Sequence, residues 1–89
     1  MNAQHVPQLN SNFRLEEFDN ERILYHPAQP QAIYLNETAA LVLGLCDNAR
    51  SIEEIVELLR EVFPESESLE TDVKATLGEL SGYGVVRIS

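Results

Sequence analysis

From Phe13 onward the chain reads as strand pattern and then as helix pattern. Phe13 and Leu15 alternate with Arg14 and Glu16 as in a half-buried strand, and Phe18 breaks the alternation at a bulge or strand end. Asp19-Asn20 makes a tight turn, since both residues tolerate positive φ and hydrogen-bond their own backbone. Arg22-Ile23-Leu24-Tyr25 forms a second strand that stops at Pro27, and the two prolines of Pro27-Ala28-Gln29-Pro30 remove donors a ladder would need. In the third strand, Gln31 to Leu35, Ile33 and Leu35 share one face while Ala32 and Tyr34 share the other. Connections this short predict an antiparallel meander.

At Asn36 the period changes to 3.6. Asn36 is a good N-cap, Glu37 suits the positive end of the helix dipole, and Thr38 to Cys46 is apolar almost all round, which predicts a helix in the middle of the structure. Asp47-Asn48 ends it, with Asn48 a candidate for the left-handed position. Ser51 and Glu54 have the spacing of a capping box. Behind them Ile52, Ile55, Val56, Leu59, Val62 and Phe63 form one stripe of a second helix, which Pro64 stops. After a polar loop, Leu69, Val73, Leu77 and Leu80 form the buried stripe of a third helix ending near Gly82 or Gly84, and Val85 to Ile88 reads as a short last strand. The first dozen residues show no periodicity. The expectation is therefore a flexible tail over residues 1–12 and a single domain over 13–89. Its fold class is α+β: a three-stranded antiparallel sheet followed by three helices, in the manner of a winged helix-turn-helix.

Size and charge narrow what such a domain does. At 89 residues the chain has room for one core and none for a deep enzyme cavity, and 44% hydrophobic content sets it apart from chains too polar to fold. The single cysteine, Cys46, makes no internal disulfide, and the longest apolar run, Ala39 to Cys46, is far shorter than the roughly 20 residues of a membrane span. With no signal-peptide pattern at the N-terminus, the expected location is the cytoplasm, with no membrane contact. The formal charge of −9 disfavours phosphate binding.

The candidate chemistry is thin. His5 and His26 lie in different segments and Cys46 inside a helix, so no metal-ligand spacing appears and no cofactor is expected. Cys46 reads as a small buried hydrophobe, His26 as a solvent-facing loop residue, and Glu65, Glu67 and Glu70 as a solvated surface. No phosphate loop or nucleophile motif is present, so catalysis is not expected. A winged-helix nucleic-acid regulator is the alternative from another class, and it requires a basic third helix. Leu69 to Gly82 instead carries Glu70, Asp72 and Glu79 against Lys74, and Ser51 to Asp72 holds eight acids and one arginine. That distribution points to a fold reused for protein contacts. The exposed edge of the strand Gln31 to Leu35 is the remaining feature, because unpaired backbone groups there accept an added strand. It leaves a monomer or weak dimer as the expected state.

The residues themselves are familiar. Leu35-Asn36-Glu37-Thr38-Ala39-Ala40 is followed by Leu45-Cys46-Asp47, then by Ser51-Ile52-Glu53-Glu54-Ile55 with Leu58-Leu59, Phe63, Asp72-Val73, Leu77, Leu80 and Gly84-Val85-Val86. In order and spacing this resembles the PqqD family from about Phe13 to Ile88, and the first half of the match is the specific part. Two departures stand out. Members commonly have Cys-Asp-Gly where this chain has Cys46-Asp47-Asn48, and Gly-Trp or Gly-Leu-Leu where it has Gly84-Val85-Val86. Asn reaches the same left-handed geometry as Gly.

The resemblance implies a RiPP recognition element: a winged-helix-like, non-catalytic peptide chaperone that holds the leader of a ribosomally made precursor peptide. Such a domain presents the peptide to a modifying enzyme, a radical SAM protein in the namesake pathway to pyrroloquinoline quinone. A protein-docking module of another peptide-maturation pathway is the neighbouring alternative. Carried onto this chain, the peptide-binding residues are Gln31, Ala32, Ile33, Tyr34 and Leu35 on the strand wall and Val73, Lys74, Leu77 and Leu80 on the helix wall. Lys74 is the cation expected to meet an acidic leader side chain, against the plainer reading of a solvated helix lysine.

Overall fold

The computed structural model describes residues 2–30 and 32–88. Its elements run β1 (Gln8–Leu9), β2 (Arg14–Phe18), β3 (Glu21–Tyr25), β4 (Ala32–Leu35), α1 (Glu37–Leu45), α2 (Ile52–Val62), α3 (Leu69–Gly82) and β5 (Val86–Arg87). Strands β2, β3 and β4 form an antiparallel sheet in that order, followed by three helices. This is the α+β class expected from the change of period.

The hairpin forms because Asp19 and Asn20 adopt φ of 51° and 67°, the left-handed pair that a two-residue turn with the twist of a hairpin requires. Phe18 pairs with Glu21 as the last residue of β2, in unbroken register, so it marks the strand end and not a bulge. The register places Leu15, Leu24 and Ile33 side by side on one face and Glu16, Ile23 and Tyr34 on the other. The first face carries Leu24, which is buried, and Ile33 and Leu35, which pack against the core. The second is the outer face.

Asn36 caps α1 by accepting a hydrogen bond from the Ala39 N–H at 2.8 Å. The helix is less enclosed than its apolar run implies. Val42 and Leu43 are buried with the following Cys46, while Leu41 and Leu45 are partly buried and Gly44 faces out. Asn48 does take the left-handed position, at φ 65°. Ser51 and Glu54 close the capping box from both sides. The stripe of α2 is Ile52, Ile55, Val56 and Leu59; of the two further residues expected on it, Phe63 packs partly buried against the core and Val62 is exposed. The stripe of α3 is Leu69, Val73, Leu77 and Leu80, as spaced. Val85 and Val86 complete the core.

The N-terminal residues depart from the expected tail. Gln8 and Leu9 pair with Arg87 and Val86 as a second, two-stranded sheet. Ahead of them, the Ile52 and Glu53 N–H groups donate to the carbonyls of His5 and Ala3 at 2.9 and 2.8 Å, satisfying donors that a helix start leaves without partners. Pro7 is fully buried. These ties are made by backbone atoms, which hydrophobic periodicity does not register.

His26 is likewise half-buried rather than solvent-facing. Its ring meets Phe13 edge-on at 5.2 Å, and its Nδ1 accepts from the Ala28 N–H at 3.0 Å.

Candidate functional site

Strand β4 is an edge. It bonds β3 on one side, and α1 packs against both it and α3. Between β4 and α3 lies a cleft of about 400 Å³. Its strand wall is Ala32, Ile33, Tyr34 and Leu35; Asn36 and Ala39 line it at the start of α1; Thr76, Glu79, Leu80 and Tyr83 form the helix wall. A second depression shares Tyr34, Leu35 and Asn36 and runs on past Arg22 and Glu37, so the hollow follows the strand edge around its end.

The strand positions expected from the sequence, Ala32 to Leu35, are all on the cleft; Gln31 lies outside the described residues. On the helix, Leu80 lines the cleft, but Val73 and Leu77 have no exposed surface and belong wholly to the core. Lys74 is on a different flank. It is two positions from Thr76, about 200° around a helix, and its ammonium stands 3.8 Å from Glu70 on its own helix. The helix wall instead uses Thr76, Glu79 and Tyr83, which follow the i, i+3, i+7 spacing of one face. That spacing was in the sequence, but the residues are polar or isolated among polar neighbours, and only the rotation of α3 against α1 and β4 makes them a wall.

Two ionisable groups outside the cleft have displaced acidities. Burial, with a smaller contribution from Asp47, pushes the Cys46 thiol up from 9.0 to about 11, and its Sγ is 3.3 Å from the Val42 carbonyl. The Asp47 carboxylate is held below the usual range by hydrogen bonds from the Arg50 and Ala49 N–H groups at 2.8 and 3.0 Å, with Arg50 as a nearby charge. Cys46 is thus a neutral core residue, and Asp47 is the acid that ties the α1–α2 turn. No group of three or more His, Cys, Asp or Glu side chains is placed to hold a metal among the described residues. Among those residues no helix is long and apolar enough to cross a membrane.

Residues 21–86 match the family described as "Coenzyme PQQ synthesis protein D (PqqD)". The chain belongs to the PqqD family. Relatives of this PqqD-family chain include a "PqqA binding protein" of Azotobacter vinelandii, 44% identical over 70 residues that cover 76% of the chain and 74% of the relative. Others with the same description come from Pseudomonas aeruginosa, 35% identical, and Stutzerimonas stutzeri, 36% identical; each match spans 81% of the chain and 78% of the relative. No solved structure gives a significant match. The PqqD match takes in β3, β4 and all three helices, and so includes every described residue of the cleft.

Proposed function

We propose that this chain is a non-catalytic peptide chaperone of pyrroloquinoline quinone biosynthesis, which binds a PqqA-type precursor peptide by strand addition to β4. The observation that carries the reading is the open β4 edge beside a cleft of about 400 Å³ whose other wall is α3. An added strand gains backbone hydrogen bonds from the edge and selectivity from alternate side chains, half of which turn toward Ile33, Leu35 and the helices. The relatives described as PqqA binding proteins supply the identity of the peptide. The bound peptide is then presented to a modifying enzyme of the radical SAM class in the cytoplasm.

Titration of isotope-labelled protein with a PqqA-type precursor peptide tests this. The amides of Ala32 to Leu35 and of Thr76, Glu79 and Tyr83 are expected to shift together. Shifts confined to α2 or to the β2–β3 hairpin tip would place the peptide elsewhere and sink the reading. Duplex DNA at low salt is expected to leave the same amides unmoved, given the acids on α2 and α3.

A further inference from the structure

The cleft between β4 and α3 has an electrostatic sign. The chain carries six Lys and Arg residues, and none of them lines the part between β4 and α3; Arg22 borders only the adjoining depression at the strand end, beside Glu21 and Glu37. Four are paired elsewhere: Arg22 with Glu17, Arg50 with Asp47, Arg60 with Glu57 and Lys74 with Glu70. Glu79 is the one charged side chain on the cleft, and its carboxylate has no ion pair among the described residues. One helical turn further on, Tyr83 lines the same wall with 53% of its surface exposed. A carboxylate and an open aromatic ring one turn apart attract the same thing. An ammonium or guanidinium group placed between them gains charge pairing from the first and a cation–π contact from the second.

Strand geometry says which peptide positions reach that pair. Side chains along a strand added to β4 alternate between the face of Ile33 and Leu35, where the helices are, and the outer face of Tyr34. We infer that the peptide recognised by this cleft carries a lysine or arginine at an inward-facing position, set against Glu79 and Tyr83. Beside it, a small or apolar residue covers Leu80 and Ala39. Arginine fits better, because its planar group stacks on a ring while donating to a carboxylate. The selectivity is the reverse of the one expected from Lys74. It rests on the peptide-binding reading above.

The test is calorimetry with a PqqA-type precursor peptide and a set of copies in which each Lys and Arg is singly replaced by Gln. One replacement is expected to weaken binding to the wild-type chain by about three- to tenfold, more at low salt than at high salt. The same replacement should have no further effect on Glu79→Gln, closing a double-mutant cycle with a clear coupling. Glu79→Lys should regain affinity for a peptide carrying Glu at that one position. Wild-type affinity in Glu79→Gln, additive effects at every peptide position, or undiminished binding of a copy with every Lys and Arg replaced would each overturn the inference while leaving strand addition standing. Failure of the unmodified peptide to bind the wild-type chain would remove both together.

Discussion

Single residues at the helix starts and turns carry more of this fold than their exposure implies. Ser51 is one: its hydroxyl accepts the Glu54 N–H at 3.2 Å, and Glu54 returns the bond to the Ser51 N–H at 3.1 Å. Ser51→Ala removes half of that exchange from a helix of eleven residues, and is expected to cost about 1 kcal/mol. A urea titration should show the midpoint fall with an unchanged slope. Cys46 sets a different limit. Its thiol is held at about 11 in the folded chain against 9.0 for the free group, so above pH 9 the unfolded chain loses this proton while the folded one keeps it. Unfolding is therefore favoured as pH rises from 9 toward 11. Stability measured across that window should decline, and Cys46→Ala, though less stable at neutral pH, should lose that component of the decline. Asp47 has the opposite sign. Its lowered folded pKa gives a contribution present above 3.8 that is lost as pH falls through the folded value.

At the scale of elements, α3 shows what periodicity reveals and where it stops. Leu69, Val73, Leu77 and Leu80 announce a buried stripe by spacing alone, and all four are buried. Periodicity says nothing of which flank beside that stripe looks onto the sheet edge. Packing against α1, α2 and β5 decides the rotation, and turns Thr76, Glu79 and Tyr83 to the cleft and Lys74 away from it. The strand wall was legible because a strand offers only two faces, and Ile33 and Leu35 mark the inner one. The same division of α3 predicts two kinds of variant. Leu77→Ala empties a site with no solvent exposure and is expected to cost about 2–5 kcal/mol in an equilibrium unfolding titration. Tyr83→Ala, at a half-exposed position, should stay within about 1 kcal/mol of the parent while weakening the precursor peptide in the same calorimetric assay. A Tyr83→Ala chain that binds as well as the parent would show that the helix wall ends at Leu80.

The whole molecule is closed by a clasp that the hydrophobic pattern leaves unmarked. β1 has two residues and no alternation, yet it holds β5, and its Leu9 N–H donates to the Asn48 side chain at 2.7 Å. Asn48 thus has two duties, a left-handed turn and an anchor for the N-terminal segment, whereas the glycine common at this position in the family would serve only the first. The consequence is kinetic. β1 and β5 come from nearly opposite ends of the sequence, so their pairing waits on everything between them, and contacts of such separation form late in folding. Interactions absent from the transition state govern how fast a protein comes apart and leave its assembly rate alone. Asn48→Gly should steepen neither limb of the chevron but raise the unfolding limb as a whole, with the refolding limb unmoved. A slowed refolding limb would mean that the ends meet early. If they meet late, the anchor at Asn48 is a brake on unfolding, and this chain holds its β4–α3 cleft together longer than a glycine-bearing one of equal folding speed.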